Sequence, residues 1–252
     1  MHSSLYANPA LYDAQYSTLA RDRAFYAGLA RRTGGPVLEL ATGSGRIAEA
    51  ILATGVELVG LEVSRPMLDA ATRRLAPHGV RCRLVEGDFR GFDLGATFPL
   101  VVCGFNSLCH VDPAGFAAVL GCVRAHLRGE GIFAFDLPNP GARAVGPTLR
   151  ERFFDERDGV ACEVWESVEP DADPRVWRRR WEYRWEDGRR AVETLQRWEY
   201  PSEEVRGMLE AAGFRVDDLF GDFAGTAFGT ASSRQVWVVS PGTGRGSGTG
   251  GV

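Results

Sequence analysis

A glycine-rich turn near residue 43 is the first place where residue types and spacing could do chemistry. The turn, Gly43-Ser44-Gly45, follows the short apolar run 37–40 and precedes residues with helical spacing. Glycines let a backbone approach a ligand closely, and the first turn of a helix offers unpaired N–H groups. The pattern therefore predicts a ligand-binding turn between a strand and a helix.

Two acids flank this turn. Glu39 lies four residues before Gly43, and Glu62 ends the next apolar run, 19 residues after it. The second spacing suits a carboxylate that accepts hydrogen bonds from both ribose hydroxyls of an adenosine ligand. Because Gly43, Gly45 and Ala48 also satisfy a dinucleotide-binding pattern, a nicotinamide oxidoreductase stays open as the alternative. Glu39 favours a ligand that carries an ammonium group, since a carboxylate there would repel a pyrophosphate.

Two further candidates follow later strands. Asp88, in the run Gly87-Asp88-Phe89, is an acceptor that matches an exocyclic amine, although Asp is also a common turn residue. His110 follows a predicted fourth strand over residues 99–105, at the edge where open α/β sheets bind ligands. It is the best-placed side chain to take a proton from an acceptor, and a histidine that is satisfied by the backbone is the alternative.

The elements that must position these residues follow from the hydrophobic pattern. Residues 9–32 predict one or two leading helices, and strands then alternate with helices as far as a fifth strand at residues 132–137. This alternation implies right-handed crossovers and a parallel sheet with both faces covered. After a helix that ends at Gly213, two closing strands are expected at residues 214–220 and 235–239.

The pattern changes after Pro138. Over residues 151–200 apolar and polar residues alternate with period two between turn signals, which predicts antiparallel strands. Trp177, Trp181 and Trp185 would share one strand face, and we expect that face to be buried. Aromatic residues interleaved with arginine also suggest single-stranded nucleic acid, but the acidic balance of the chain argues against it.

Composition limits the class of protein. The chain has 252 residues, of which 44% are hydrophobic and 25% charged, so it is long enough for one domain with an insertion. A net charge of -4 gives no general attraction to nucleic acid or an anionic membrane. The five cysteines show no zinc-type spacing and indicate reduced thiols. We therefore expect a cytoplasmic protein without a metal, an export signal or a membrane anchor.

The motifs together resemble the class I S-adenosylmethionine-dependent methyltransferases over residues 37–137. The loop Phe105-Asn106-Ser107 lacks the D/N-P-P-Y/F pattern of the branches that methylate adenine, glutamine or DNA. With Leu11-Tyr12-Asp13-x-x-Tyr16 it resembles the small-molecule branch, including amino-sugar and natural-product N-methyltransferases. The resemblance implies an α/β fold: a Rossmann-like, seven-stranded, mostly parallel sheet in the order 3-2-1-4-5-7-6, with helices on both faces and strand seven reversed. A small antiparallel β insertion would follow strand five.

The same resemblance implies cofactor-binding roles. Glu39 and the backbone at Ala41 and Gly43 would hold the methionine part, Glu62 the ribose, and Asp88 the adenine amino group. The other candidates would lie beside the adenine, the methionine or the methyl group: Phe89, Val63, Met67, Gly45, Arg46, Phe105, Asn106, Tyr12 and Tyr16. Two alternatives stay open, a solvated arginine at position 46 and tyrosines that merely pack the leading helices.

These observations predict four regions: an N-terminal helical lid (1–32), a methyltransferase core (33–140 and 201–240), an antiparallel cap (141–200) and a flexible glycine-rich tail (241–252). The predicted reaction transfers a methyl group from S-adenosylmethionine to a nitrogen or oxygen of a small-molecule metabolite, with His110 as the catalytic candidate. A module that binds the cofactor without turnover is the non-enzyme alternative. A small-molecule acceptor is the expected partner, and a homodimer through the cap stays open.

Overall fold

The computed structural model describes residues 4–141, 147–155 and 157–242. Within these residues the chain forms a seven-stranded sheet and a four-stranded sheet. The helices are α1 (Pro9–Tyr16), α2 (Arg21–Thr33), α3 (Arg46–Leu52), α4 (Arg65–Leu75), α5 (Pro113–His126) and α6 (Ser202–Ala211). The strands of the larger sheet are β1 (Val37–Leu40), β2 (Leu58–Glu62), β3 (Cys82–Glu86), β4 (Phe98–Cys103), β5 (Leu127–Pro138), β10 (Phe214–Phe220) and β11 (Arg234–Pro241). The strands of the smaller sheet are β6 (Thr148–Asp155), β7 (Val160–Pro170), β8 (Val176–Trp185) and β9 (Arg190–Trp198).

The larger sheet has the order β3-β2-β1-β4-β5-β11-β10, which confirms the predicted order. Strands β1 to β5 pair in parallel, and β11 is antiparallel to both β5 and β10. Strand β1 lies between β2 and β4. The chain therefore runs from β1 to β2 and β3 on one side of the sheet and then returns to β4 on the other side of β1. A crevice at the carboxyl ends of such strands is where α/β sheets bind ligands.

Helices cover both faces of this sheet, as predicted. Leu38 and Leu40 of β1 pack into one core with α5 and α6, whereas Val37 faces a second core with α2, α3 and α4. The alternation follows from the period-two side-chain directions of a strand. A strand that is apolar on both faces must lie inside the sheet, and this places the end of β1 at the centre of the molecule.

Two differences from the predicted strand bounds have a clear structural reason, one in β5 and one in β4. The fifth strand begins at Leu127, directly after α5, so that Gly131 lies inside the strand; a Cβ on Gly131 would lie 3.0 Å from the carbonyl oxygen of Phe98. The fourth strand ends at Cys103, and Phe105 has left it with a φ of 58°. Glycine allows the close strand pairing in the first case. The second departure shapes the functional site.

The smaller sheet is antiparallel throughout, in the order β6-β7-β8-β9, and we call it the cap. Trp181, Tyr183 and Trp185 of β8 are buried, and they pack with Leu11 of α1. The expectation of a buried aromatic face is confirmed for Trp181 and Trp185, whereas Trp177 is only half-buried. The cap lies against the N-terminal helix, which explains why both regions are rich in aromatic residues.

The second closing strand, β11, extends into the predicted tail. Pro241, placed in the tail by sequence, is the last residue of β11, and Gly242 donates a backbone hydrogen bond of 2.8 Å to Gly213. The rest of the predicted tail, residues 243–252, lies outside the described residues. Across the described parts of the chain, no helix is both long enough and apolar enough to cross a membrane.

Candidate active site

A cavity of about 820 Å³ lies at the carboxyl ends of β1, β2 and β4. Most of the predicted site residues line it: Tyr12, Glu39, Ala41, Gly43, Arg46, Glu62, Val63, Met67, Asp88, Phe89, Phe105 and His110. Three others, Tyr16, Gly45 and Asn106, lie behind its wall. A second depression beside Phe92 and His126 contains none of the predicted residues.

The glycine turn has the strained backbone that its sequence predicts. Ala41, Gly43 and Gly45 all have positive φ, at 53°, 59° and 84°. Gly45 begins α3, and a Cβ there would lie 3.1 Å from the side chain of Leu75. Glycine is therefore required at position 45 to bring α3 against α4, and this is why Gly45 supports the cavity without lining it.

Glu62 is fixed by backbone donors at the end of β2. Its carboxylate accepts hydrogen bonds from the N–H groups of Gly43 (2.8 Å), Val63 (3.0 Å) and Ser64 (2.8 Å). A carboxylate can accept about four hydrogen bonds, so one more site on its oxygens can serve a ligand hydroxyl. The side chain thus links the glycine turn to the start of α4 and presents a rigid acceptor to the cavity.

Glu39 is a buried acid whose side chain lines the same cavity. The Thr42 hydroxyl donates to its Oε2 over 2.6 Å. Burial raises the pKa of Glu39 to about 8, although the Thr42 hydrogen bond opposes the shift. Within the described part of the chain no cation forms a salt bridge with Glu39. A ligand ammonium beside this carboxyl would favour its ionised form.

Asp88 has the turn geometry that was its alternative explanation. Its Oδ1 accepts a hydrogen bond of 2.8 Å from the backbone N–H of Arg90, and the Arg90 guanidinium forms an ion pair with the carboxylate. Both residues line the cavity at its partly exposed end. The structure therefore shows a carboxylate that is oriented by its own turn and is also open to the cavity.

Arg46 is buried, so the alternative of a solvated arginine is wrong. Its guanidinium forms an ion pair with the carboxylate of Asp22 on α2 and donates to the carbonyl oxygen of Leu19. It also lies over the ring of Phe105, 4.9 Å from the ring centre. Because Asp22 already neutralises it, Arg46 contributes shape and a cation–π contact more than free charge.

Aromatic rings from the N-terminal segment close the other end of the cavity. Tyr12 and Tyr16 pack edge-on against each other at 4.9 Å between ring centres, and Tyr16 packs against Phe105 at 4.8 Å. The hydroxyl of Tyr6 lies 2.8 Å from Nε2 of His110. We call Tyr6, Tyr12, Phe105 and His110 the aromatic wall. Tyr16 belongs to the packing layer behind it.

Burial sets the protonation states in the aromatic wall. It raises the pKa of Tyr6 and raises that of Tyr12 well above the ordinary value, so both phenols stay protonated. Burial, reinforced by the charge of Arg197, lowers the pKa of His110 to about 3. His110 is therefore neutral near pH 7, and its Nε2 shares a hydrogen bond with the Tyr6 hydroxyl.

The cap supplies one wall of the cavity, with lining residues that the sequence did not identify. Val192, Thr194, Gln196 and Trp198, every second residue of β9, line the cavity together with Leu195 and Arg178. Arg178 pairs with Gln196 across the strands, and both side chains contact the carboxylate of Asp171. These residues are recognised as cavity lining only when the cap is placed over the sheet. The alternation of polar and apolar residues along a strand does not show which part of the protein each face contacts.

Other missed residues lie within the recognised segments. Thr42 and Ser44 stand inside the glycine turn, Ser64 follows Glu62, and Tyr6 lies just before the first helix; all four line the cavity. The Ser64 hydroxyl donates to the Tyr6 carbonyl oxygen over 3.1 Å instead of capping α4. The concentration of tyrosines before residue 27 was the one signal that could have identified Tyr6.

The arrangement suits an elongated ligand with different groups along its length. An ammonium group fits beside Glu39, neighbouring hydroxyls beside Glu62, and an exocyclic amine beside Asp88, with the apolar side chains of Val63 and Met67 between them. The aromatic wall and β9 then leave room for a second molecule at the other end. The chemistry of this donor set fits S-adenosylmethionine better than a dinucleotide. The ammonium group of S-adenosylmethionine can pair with Glu39, whereas a dinucleotide would bring an anionic pyrophosphate towards the same carboxyl group.

Comparison with known proteins supports the same ligand. Residues 37–131 match the family described as a methyltransferase domain. The chain is similar to a cypemycin N-terminal methyltransferase from a Streptomyces species, with 28% identity over 213 residues and 82% of each chain covered. It is also similar to the solved structure of the CcbJ methyltransferase from Streptomyces caelestis, with 25% identity, a TM-score of 0.78, and 89% of this chain and 97% of that chain covered.

A further solved structure, the glycopeptide N-methyltransferase MtfA in complex with S-adenosyl-L-methionine, has 26% identity, a TM-score of 0.58, and coverage of 89% of this chain and 96% of that chain. These matches decide between the two cofactors that the glycine turn leaves open, and the nicotinamide alternative is not supported. The larger sheet, its reversed strand and the glycine turn agree with the same family. Residues 37–131 therefore form a methyltransferase domain, and the fold and the cavity around it agree with S-adenosylmethionine-dependent enzymes of that kind.

Proposed function

We propose that this chain methylates an amine nitrogen of a small natural product. The observation that carries the choice of nitrogen is the protonation of the aromatic wall. His110, the one sequence candidate for a base, has a pKa of about 3 because of burial, and its Nε2 is engaged by Tyr6. An alcohol gains from a base that takes its proton early, whereas a neutral amine attacks with its lone pair and loses its proton afterwards.

The names of the relatives support the same choice. The cypemycin enzyme is an N-terminal methyltransferase, and MtfA is a glycopeptide N-methyltransferase. An amine carried by a peptide or a glycopeptide is a compact nucleophile on a larger neutral scaffold. We infer an acceptor of that kind for this chain, in which the amine enters the cavity and the scaffold remains near the cap.

We assign the cofactor contacts as the sequence predicts them. Glu39 binds the methionine ammonium, Glu62 binds the ribose through one hydroxyl, and Asp88 binds the adenine amine. The backbone and apolar contacts come from Ala41, Gly43, Val63, Met67 and Phe89. S-adenosylmethionine supplies an already activated methyl group on a sulfonium. The protein therefore has mainly to align the amine with that group and to exclude water.

The N-terminal segment serves as the lid in this proposal. Asp13 accepts a hydrogen bond of 2.5 Å from the Ser44 hydroxyl and forms an ion pair of 2.9 Å with Arg74. The segment is thereby attached to the glycine turn and to α4. Tyr6 and Tyr12 then cover the methyl end of the cavity, where the proposal needs water to be excluded. The cap, through β9, selects the acceptor.

A competition between matched acceptors tests the proposal. The protein is incubated with S-adenosylmethionine and four probes: a peptide with a free N-terminal amine, an aminoglycoside, and the hydroxyl analogue of each. Mass spectrometry then counts the methyl groups added. We expect transfer to at least one amine and none to its hydroxyl analogue. Methylation of a hydroxyl analogue at a comparable rate would overturn the assignment to nitrogen.

His110 offers a control within the same assay. If the acceptor is an amine, His110→Gln should keep most of the turnover, because no base is required before transfer. If His110 is instead a general base for an alcohol, the same change should lower kcat by about 100-fold or more. The two outcomes separate the amine proposal from an O-methyltransferase.

A further inference from the structure

The loop after β4 has a backbone that its residues rarely adopt. Phe105 and Asn106, two consecutive non-glycine residues, have φ values of 58° and 60°. Asn tolerates this left-handed region, but a bulky residue such as Phe is an outlier there. Such strain persists only where the surrounding structure holds the backbone in place. The neighbouring residues must therefore supply contacts that fix this loop.

One buried carboxylate supplies those contacts. Asp136, on β5, is fully buried. Its Oδ1 accepts hydrogen bonds from the N–H of Phe105 (2.7 Å) and the hydroxyl of Tyr26 (2.8 Å). Its Oδ2 accepts from the N–H of Asn106 (3.2 Å) and from Nη1 of Arg234 (2.5 Å). Both strained residues are thus bonded to the same acid.

The other donors to Asp136 are themselves fixed. Burial, followed by the charge of Asp136, raises the pKa of Tyr26 well above the ordinary value, so the phenol stays a donor. Arg234 also donates to Oδ1 of Asn106 over 3.0 Å, and its guanidinium lies 5.1 Å from the ring centre of Phe223. The acid therefore joins α2, β5, β11 and the strained loop in one network.

The consequence appears on the cavity side. Phe105 lines the cavity, and its ring packs between Arg46 and Tyr16 at 4.9 and 4.8 Å. Asp136 does not line the cavity. A change at Asp136 would therefore act through the direction of the Phe105 ring, at the end of the cavity where the proposed function places the methyl group.

We propose that Asp136 is a positioning residue for methyl transfer, which holds Phe105 in its left-handed conformation and so sets the shape of the aromatic wall. This inference rests on the proposed function, since it concerns the methyl end of the same site. Nothing in the glycine-turn motifs points to Asp136. Its role follows from four hydrogen bonds that converge from three separate segments of the chain.

The test replaces the acid by its neutral isostere, Asp136→Asn. Asparagine keeps the shape of the side chain. Its NH2 group cannot accept the hydrogen bonds that one of the two Asp136 oxygens accepts in the wild type. We expect kcat to fall about tenfold or more, because misplacement near the reacting atoms is costly. The cofactor contacts at the glycine turn are untouched, so KM for S-adenosylmethionine and the Kd for S-adenosylhomocysteine should stay within about threefold.

Two other variants make the test decisive. Tyr26→Phe removes one of the four donors and keeps the charge, so we expect a smaller loss of kcat, about threefold; this variant decides if Asp136→Asn does not fold. Asp155→Asn is the matched control, because Asp155 is also fully buried and forms an ion pair with Arg157, but in the cap. Its kcat per S-adenosylhomocysteine-binding site should equal that of the wild type.

Hydrogen exchange gives a readout that does not depend on turnover. The amides of residues 105 and 106 should exchange faster in Asp136→Asn than in the wild type or Asp155→Asn. An unchanged kcat, an equal loss in Asp155→Asn, or a loss of kcat that only follows the number of binding sites would overturn the inference. If wild-type protein methylates no amine while the exchange result holds, the proposed function fails and the structural role of Asp136 stands.

Discussion

The two sides of the cavity are built in different ways. The side formed by Glu39, the glycine turn and Glu62, here the turn wall, is held by hydrogen bonds over short stretches of sequence, from Thr42 to Glu39 and from Gly43 to Glu62, which lie 3 and 19 residues apart. The opposite side, formed by the aromatic wall and β9, depends on pairs such as Tyr6 and His110, which lie 104 residues apart. A short sequence motif can specify a wall made by local contacts. The residues that line a wall made by distant contacts can change without altering that motif.

The difference also concerns charge. The turn wall presents carboxylates to the cavity, and Glu39 has a pKa raised by burial to about 8. The aromatic wall presents groups that stay neutral near pH 7, since burial raises the pKa of Tyr6 and lowers that of His110. One wall is therefore suited to a cationic cofactor and the other to an uncharged nucleophile. The predictions below separate the two walls.

The largest effect is expected at Glu39. Glu39→Gln should weaken S-adenosylhomocysteine binding by about 100-fold, because a buried hydrogen bond between charged groups is worth roughly 1.5–3 kcal/mol. Isothermal calorimetry near pH 8 measures it. Glu86→Gln is the control, since Glu86 ends β3, the edge strand of the same sheet, and pairs with the exposed Arg65. Equal affinities for the two variants would contradict the assignment of Glu39.

The second prediction is a pH dependence of cofactor binding. Glu39 has a pKa of about 8, and a ligand ammonium favours its ionised form. Below that pH, binding must therefore release a proton, and affinity should fall by up to about tenfold for each unit as the pH drops from 8 to 6. Calorimetry in buffers of different ionisation enthalpy counts the proton released. The dependence should vanish in Glu39→Gln, and its persistence there would assign the proton to another group.

A third prediction concerns the cap. Thr194→Tyr fills the cavity from β9, so kcat/KM for the acceptor should fall about tenfold while S-adenosylhomocysteine affinity changes less than about twofold. Steady-state kinetics with varied acceptor and calorimetry measure the two values. Thr148→Tyr, on the far edge strand β6 of the same sheet, should alter neither. A loss of cofactor affinity in Thr194→Tyr would show that β9 serves the cofactor side.

The last prediction concerns the acid stability of the fold. The pKa of His110 is about 3 in the folded protein and near 6.5 when the chain is unfolded, so the unfolded state binds more protons between these values. The free energy of unfolding should therefore decrease as the pH falls from about 6.5 towards 3. Chemical denaturation at several pH values should show a flatter slope for His110→Gln. An identical slope would mean that His110 does not carry this dependence.

The sequence predicted the larger sheet because its strands are short and apolar between recognisable turns. It also predicted most of the turn wall, since Glu39, Gly43 and Glu62 lie at strand ends whose order is set by the parallel topology. It was wrong about the end of β4, where Phe105 turns away. No local pattern marks that turn, because the acid that stabilises it is 31 residues further along the chain.

Gly45 and Arg46 differ in how far the sequence predicts their surroundings. The positive φ of Gly45 is a local requirement, and a glycine between a strand and a helix indicates it. The burial of Arg46 depends on Asp22, which belongs to another helix and becomes its partner only when α2 packs against α3. A side chain's partner at long range is a result of packing, and the identity of the residue alone does not reveal it.

The sequence by itself determined the fold class and the acids of the turn wall, because strand periodicity, glycine backbone freedom and carboxylate chemistry are all local properties. The tertiary structure decided the rest of the cavity. It brought β9 over the sheet, placed Tyr6 on His110 and joined Asp136 to the strained loop. Those contacts depend on which distant surfaces bury each other. Because hydrophobic burial is non-directional, the spacing of apolar residues in the sequence does not identify the surface that each of them packs against.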